Sequence, residues 1–175
     1  MATPLVSAVL WERIEPLLPP EGPTPKGGCP RVPDRACLAG IIVVLRTGIP
    51  WELLPQEMGC RSGMTCERRL RDWHKAGVWE RLHHALLDEL GRLCRRFLRR
   101  RGIRVRITRK GIESSQRLGR HRWVVERTLA WLGGFRRLTL RYERRQEVHK
   151  AFLSLGCALI CLRAVERFCS VCFVC

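Results

Sequence analysis

The sequence predicts a mainly α-helical protein. Apolar residues recur in several segments at spacings of three and four, the period of an amphipathic helix, as at Leu82, Leu86 and Leu90. Stretches rich in Gly and Pro, such as 21–33 and 59–63, separate these segments. A chain of 175 residues with 46% hydrophobic and 28% charged residues is typical of a soluble globular protein with one good core or two small ones.

The first helices flank a long loop. Residues 11–18 have a short amphipathic pattern that two prolines stop, and residues 21–33 form a loop rich in Gly and Pro. Asp34 then stands where an N-cap is expected. The run at 35–46 has apolar positions on all sides, so we expect a central buried helix that ends at the turn 47–50.

The next two helices have the outline of a helix-turn-helix. A short helix begins near Trp51, a Gly-containing break follows, and residues 64–75 form a second helix with Leu70 and Trp73 on one face. This second helix either contacts DNA or belongs to an ordinary packing unit, and the pattern does not separate the two. The tryptophans at 11, 51, 73 and 79 are expected to be core anchors rather than base-stacking groups.

A long helix is predicted from Val78, because the apolar stripe from Leu82 to Phe97 is unbroken. Its chemistry changes midway, from mixed charges to a run of arginines. We place a domain boundary at this change, near 91–94. The arginines at 95–101 are either a solvated face or a site for DNA.

The C-terminal part mixes short patterns. The alternation at 103–107 predicts a short half-buried strand, and residues 110–119 read as a loop. A helix is expected at 122–132, ended by two glycines. A brief alternation at 138–142 precedes an apolar closing helix at 148–168.

Positive charge is concentrated in one segment. Residues 92–145 hold 19 Lys or Arg against three acids, whereas residues 1–91 hold 11 basic and 11 acidic groups. A field that localised attracts a polyanion, and nucleic acid is the default candidate. Glu126 stands out as a carboxylate inside this basic segment.

The cysteines and the N-terminus indicate a cytosolic protein. Ten cysteines without an export signal are expected to be reduced thiols. Cys169, Cys172 and Cys175 have overlapping CxxC spacings that could bind zinc, but no fourth ligand is evident, and a functionless tail is the alternative. The apolar runs at 36–45 and 151–162 are shorter than the roughly 20 residues of a membrane helix, so no membrane is expected.

Specific strings occur in both halves of the chain. The N-terminal strings lie at 11–19, 30–46, 47–55, 73 and 77–79, and the C-terminal strings lie at 100–103, 109–111, 120–131, 136–138 and 141–144. Together they resemble the transposases of bacterial insertion sequences that use a DDE carboxylate triad, in the subgroup with a short N-terminal helical domain. The resemblance covers nearly all of residues 8–167.

The resemblance implies a helical domain that binds the ends of the element, followed by an RNase H-like α/β catalytic domain. We therefore divide the chain into a DNA-end-binding domain at 1–91, a basic junction at 92–110, a remnant of the RNase H-like domain at 111–168 and a Cys-rich tail at 169–175. Glu126 matches the final acid of the triad and would be a metal ligand. The residues expected to contact DNA are Arg68, Arg69, Arg71, Lys110, Arg120, Arg122, Arg127, Arg136, Arg137, Arg141, Tyr142, Arg144 and Arg145.

The sequence departs from the family at the triad. The family's chemistry requires two divalent cations, Mg²⁺ or Mn²⁺, held by several carboxylates. The only aspartates are Asp34, Asp72 and Asp88, and none of them matches a triad position. We infer an internal deletion of the first half of the catalytic domain, which leaves Glu126 as a vestigial, incomplete metal site without a productively bound ion.

Three functions follow as hypotheses. The first is a catalytically defective transposase that binds double-stranded DNA at the element ends, in the cytoplasm and associated with the nucleoid. The second is a repressor of transposition that occupies these ends, with further copies of the chain or intact transposase as candidate partners. The third is an unfolded pseudogene product without function.

Overall fold

The computed structural model describes residues 5–20, 31–104, 122–140 and 142–172, without the side chains of 122–125 and 170–172. Helices dominate these residues, as predicted. The α-helices are α1 (Ala8–Ile14), α2 (Asp34–Thr47), α3 (Gly63–Lys75), α4 (Val78–Arg100), α5 (Arg122–Gly133), α6 (Arg136–Thr139) and α7 (Gln146–Cys172). Short 3-10 turns lie at Glu15–Leu17, Trp51–Leu53 and Gln56–Met58.

Helix α2 is the central buried helix that its apolar pattern predicts, but its start differs from the prediction. Pro33, which has no side-chain capping hydrogen bond, occupies the N-cap position, and Asp34 is the first helical residue. The Asp34 carboxylate instead pairs with Arg69 Nη1 of α3 at 2.9 Å. The helix ends at Gly48, whose φ of 73° is a left-handed conformation that glycine adopts without strain.

Helix α3 begins at Gly63, where the backbone packs closely against Trp51 in the turn that follows α2. Ser62 caps the helix by accepting a hydrogen bond from Met64 N at 3.2 Å. A Cβ on Gly63 would lie 1.8 Å from the carbonyl oxygen of Trp51, so only glycine fits at this contact. Leu70 and Trp73 are buried on the inner face of the helix.

The predicted tryptophan anchors are confirmed. Trp51, Trp73 and Trp79 are buried, and Trp11 is half-buried against the same core. The Trp79 indole donates a hydrogen bond from Nε1 to the carbonyl oxygen of Leu70 at 3.2 Å. The apolar ring is therefore removed from water, and the hydrogen bond satisfies the indole N–H that is buried with it.

Helices α4 and α7 form the main packing pair. Helix α4 runs without interruption through 91–94, as its leucine stripe predicts, and α7 packs along it. The rings of Phe97 and Phe168 meet edge to face, with centroids 6.0 Å apart. The same hydrophobic core contains Leu86 from α4, Phe152 from α7 and the buried residues of α2. The core thus joins residues on both sides of the predicted boundary, and the division into domains remains a prediction.

Two short patterns of the C-terminal half lie near the junctions of its helices. The alternation noted at 138–142 begins inside α6, at 136–139, where Arg137 and Leu138 pack towards the core, and Leu140 after it is extended. Of the strand predicted at 103–107, Ile103 and Arg104 have no regular structure and the rest lies outside the described residues. No strand occurs in the part of the chain that the structure describes, so the mainly α class is confirmed.

The apolar part of α7 is longer than the uncharged run at 151–162 indicated. Its segment Gln146–Cys169 is long and apolar enough to cross a membrane by length and composition, with a mean hydropathy of 1.6. Of its most apolar window, 56% is buried inside the protein, mainly against α4. A core helix of a globular fold passes the same test, so this helix is weak evidence for a membrane span.

Candidate nucleic-acid interface

The outer face of α3 presents the first group of predicted DNA contacts. Arg68 is exposed and Arg71 is half-buried, on the side of the helix opposite Leu70. Arg69 differs from both, because its guanidinium is engaged by Asp34 and both side chains are only 13% exposed. Arg68 and Arg71 are therefore available to a ligand, whereas Arg69 joins α3 to the start of α2.

The second group surrounds α6. Arg136, Arg144 and Arg145 are exposed, and Tyr142 is 55% exposed. They belong to α6 and to the segment that leads into α7, which the contacts of Arg137 with Glu143 and Tyr142 join. Cationic and aromatic side chains of this kind suit a phosphate backbone.

Arg137 was predicted to contact DNA, but the structure places it inside the protein. It is only 5% exposed, and its Nε donates to Glu143 Oε1 at 2.9 Å. Its Nη1 donates to the carbonyl oxygens of Gly48 at 3.1 Å and Ile49 at 3.3 Å. Because the guanidinium is occupied by protein acceptors, Arg137 has a structural position: it fastens α6 to the turn after α2.

Helix α5 carries the third group. Glu126 and Arg127 are both exposed, and the Arg127 guanidinium lies 5.1 Å from the ring centroid of Trp131. Trp131 is 49% exposed, so its ring and the guanidinium form an accessible pair. Arg122 begins this helix, but its side chain lies outside the described residues, as do Lys110, Arg120 and Arg141.

Glu126 lacks the surroundings of a two-metal site. Within the described residues, no three His, Cys, Asp or Glu side chains converge where they could hold a metal ion. The aspartates are distributed over α2, α3 and α4, and Asp34 is already paired with Arg69. Two divalent ions need several convergent oxygen ligands, so the described residues do not fit the metal centre of the triad chemistry.

A thiol cluster in the core was not predicted. Cys37, Cys60 and Cys66 are buried between α2 and α3. A hydrogen bond from the Cys66 thiol lowers the pKa of Cys37, and the same bond together with burial raises the pKa of Cys66. The helical periodicity of the sequence could have predicted this cluster, because Cys37 and Cys66 lie on the buried faces of α2 and α3.

The arginines near the end of α4 form a further basic surface. Arg92, Arg95, Arg96, Arg99 and Arg100 line an open pocket of about 370 Å³. The sequence left open whether the arginines at 95–101 form a solvated face or a site for DNA. Four of them lie with Arg92 on one side of the helix, away from the face where Phe97 meets α7. The guanidinium of Arg101 instead lies 4.6 Å from the ring centroid of Phe97.

Comparison of the sequence with models of protein families identifies the class of protein to which this chain belongs. A family model described as "Transposase DDE domain" matches residues 62–161, which is more than half of the chain. A model described as "Putative transposase of IS4/5 family" matches residues 6–83. The chain therefore belongs to the transposases with a DDE domain, and the resemblance noted in the sequence is confirmed.

Two relatives come from an insertion element of Burkholderia cepacia. The chain is 55% identical over 92 residues to "Insertion element IS402 uncharacterized 16.2 kDa protein", which covers 51% of this chain and 63% of the relative. It is 55% identical over 73 residues to "Putative transposase for insertion sequence element IS402", which covers 42% of this chain and 35% of the relative. The chain thus spans less than two thirds of either relative. No solved structure matches it significantly.

Proposed function

We propose that this protein binds the double-stranded DNA ends of its insertion sequence and does not cleave them. The observation that carries the proposal is the match of residues 6–83 to the IS4/5 transposase family, combined with the exposed Arg68 on α3. A helix that is anchored on one face by Leu70 and Trp73 and presents cationic side chains on the other is suited to a DNA groove. The cytoplasm, at the nucleoid, is the corresponding location.

The proposal assigns the other exposed cations to the DNA backbone. Arg127, Arg136, Arg144 and Arg145 are exposed and belong to a segment with few acids. Phosphate contacts position a protein on DNA, whereas base contacts read the sequence. We assign sequence reading to α3 and positioning to these arginines and to Tyr142.

Loss of catalysis is the second element of the proposal. Divalent metal dependence follows from membership in the DDE family, and Glu126 corresponds to the last acid of the triad. The chain has only three aspartates, all on α2, α3 and α4, and none occupies the position of a triad acid. An internal deletion that removed the first half of an RNase H-like domain accounts for both missing acids, with residues 111–168 as its remnant.

Binding to the element ends is tested with two duplexes, one carrying the terminal inverted repeat and one of shuffled sequence. Fluorescence anisotropy should give at least tenfold tighter binding to the repeat, since specific sites typically exceed random DNA by orders of magnitude. Arg68→Ala should reduce this ratio, because a base contact contributes about 1–3 kcal/mol of discrimination. Arg163→Ala, an exposed arginine on α7, is the matched control and should leave the ratio unchanged.

The catalytic part of the proposal has a separate test. The purified protein is incubated with the repeat duplex and Mg²⁺ or Mn²⁺, and the DNA strands are resolved on a denaturing gel. No nicking above background is expected. Reproducible nicking that disappears in Glu126→Gln would overturn the assignment of Glu126 as a vestigial acid.

Repression of transposition is the second candidate function. It is favoured by the combination of a retained end-binding segment with missing triad acids, because such a protein occupies the ends without processing them. Second copies of the chain or intact transposase are its proposed partners. Co-expression with an intact transposase should lower the transposition frequency, and an unchanged frequency argues against repression.

An unfolded pseudogene product without function is the contrasting hypothesis. It predicts no cooperative unfolding, because an unfolded chain has no specified core that melts as one unit. A sigmoidal circular dichroism melt at 222 nm would contradict this hypothesis. The contiguous core that α2, α3, α4 and α7 share supports cooperative unfolding.

A further inference from the structure

The last turns of α4 carry a continuous stripe of arginines. Arg92, Arg96, Arg99 and Arg100 are exposed and Arg95 is half-buried, and together they line the open pocket of about 370 Å³. Their spacings of three and four place them on one side of the helix. We refer to these five residues as the arginine stripe. No acidic side chain is among the residues that line the pocket.

The arginine stripe is unfavourable in the absence of an anion. Like charges three or four residues apart on a helix repel one another, and the stripe contains several such pairs. The negative end of the helix dipole compensates only partly. Glu89, one turn before Arg92, is bound by both terminal nitrogens of Arg13, and the nearby charge of Arg92 also lowers its pKa. Together with Asp88, it places the neighbouring acids of α4 only at the Arg92 end of the stripe. The local charge therefore favours an external anion with several negative groups.

The dimensions of the arginine stripe fit a phosphate backbone. From Arg92 to Arg100 the helix rises about 12 Å, at 1.5 Å per residue. One strand of B-DNA carries a phosphate about every 3.4 Å along its axis, so the stripe spans roughly three or four phosphates. All five side chains are Arg rather than Lys, and guanidinium groups bind phosphate oxygens in a bidentate geometry.

We infer that the arginine stripe of α4 is a second, sequence-independent docking site for the phosphate backbone of duplex DNA. It is separate from the face of α3 that we assign to sequence reading, and it rests on the proposed DNA-binding function. Its ligand is the sugar-phosphate backbone and not the base edges. The stripe therefore contributes affinity and salt dependence, while α3 contributes discrimination between sequences.

The test compares two variants of the full chain with equal net charge. The stripe variant is Arg96→Gln/Arg99→Gln/Arg100→Gln, and the control variant is Lys150→Gln/Arg163→Gln/Arg167→Gln on α7, in which all three side chains are also exposed. Both lose three positive charges. Binding to a shuffled 25-base-pair duplex is measured by anisotropy from 50 to 300 mM salt.

The stripe variant should reduce the slope of log K against log salt by about 2 to 3, since each phosphate contact contributes about 0.9. The control variant should change this slope by less than 1. Equal slopes for the two variants would overturn the inference, because overall charge alone would then explain the binding. Thermal melts should show the stripe variant at least as stable as the wild type, since three repulsive side chains become neutral.

A second readout separates this inference from the proposed function. The stripe variant should bind the repeat duplex and the shuffled duplex more weakly by the same factor, which leaves their ratio unchanged. A fall in the ratio would overturn the inference, since the stripe would then read sequence. If the wild type shows no preference for the repeat, the proposed recognition of the element ends fails. The comparison of salt slopes still tests whether the arginine stripe contacts the phosphate backbone.

The partner class is checked with vesicles of phosphatidylserine and phosphatidylcholine. DNA docking predicts that the stripe variant loses duplex affinity at 150 mM salt by at least tenfold. Loss of vesicle binding with unchanged duplex binding would overturn the inference in favour of an anionic lipid surface.

Discussion

Arg137 and Glu143 form a buried ion pair that fastens the C-terminal segment to the helical core. Their side chains are only 6% and 10% exposed, and Arg137 Nε donates to Glu143 Oε1 at 2.9 Å. The same guanidinium donates to the carbonyl oxygen of Gly48 at 3.1 Å, at the end of α2. Charges buried in this way are tolerated only when they are paired and hydrogen-bonded. The pair therefore links the segment around α6 to the end of α2, which lies 89 positions away in the sequence.

We expect Arg137→Ala to lower the free energy of unfolding by about 3–5 kcal/mol, because it leaves the Glu143 carboxylate buried without a partner. Urea denaturation followed by circular dichroism measures the change. Arg144→Ala, at an exposed neighbouring arginine, should stay within about 0.5 kcal/mol of the wild type. The apolar double variant Arg137→Met/Glu143→Leu should be less destabilised than Arg137→Ala. Equal stability of Arg137→Ala and Arg144→Ala would exclude a stabilising role for the buried pair of Arg137 and Glu143.

The packing of α4 on α7 is tested by two adjacent leucines. Leu86 is fully buried, whereas Leu87 is 42% exposed. Leu86→Ala should cost about 2–5 kcal/mol, because it removes buried methyl groups and leaves a cavity. Leu87→Ala should cost at most about 0.5 kcal/mol. Similar losses from the two substitutions in urea denaturation would argue that α4 is not packed in the observed orientation.

The ion pair of Arg13 and Glu89 should make stability depend on pH. The hydrogen bond from Arg13 lowers the pKa of Glu89 below its ordinary value of 4.5. Its contribution is therefore present above pH 4.5 and is lost as the pH falls through the lowered folded-state pKa. Because the side chains are 32% and 27% exposed, we expect Glu89→Gln to cost less than about 1 kcal/mol at pH 7.

Urea denaturation of the wild type and Glu89→Gln at pH 7 and pH 3 measures this effect. The difference in the free energy of unfolding between the two proteins should be smaller at pH 3 than at pH 7. At pH 7 it should also be smaller in high salt. The exposed neighbour provides the control, since Asp88→Asn should show a smaller effect at pH 7. A difference that stays constant with pH would contradict the ion-pair explanation.

Thiol labelling should separate the cysteines by their location. Cys37, Cys60 and Cys66 are at most 1% exposed, whereas Cys169 is exposed. Burial raises the pKa of Cys94, which lowers its thiolate fraction at neutral pH. We expect an aromatic disulfide reagent to modify Cys169 first, Cys94 slowly and the three core cysteines only on unfolding. Peptide mass spectrometry checks this order, and rapid labelling of Cys66 in the folded protein would contradict the packing of α2 against α3.

Local patterns were sufficient to predict most helices. The stripe from Leu82 to Phe97 predicted α4, and the apolar run after Asp34 predicted α2, because each pattern repeats at the helical period. The capping role of Asp34 was predicted wrongly. Its preferred partner, Arg69, lies 35 positions away, and no local rule accounts for such a contact.

The sequence by itself determined the helical class, the excess of positive charge in 92–145 and the family, because these depend on residue types and their order. Only the tertiary structure decided which arginines are accessible. Arg136 and Arg137 are adjacent and chemically identical, yet Arg136 is exposed and Arg137 is held by Glu143 and Gly48. The physical reason is that a buried charge needs partners, and Arg137 finds them both in the nearby Glu143 and in the distant carbonyl oxygen of Gly48.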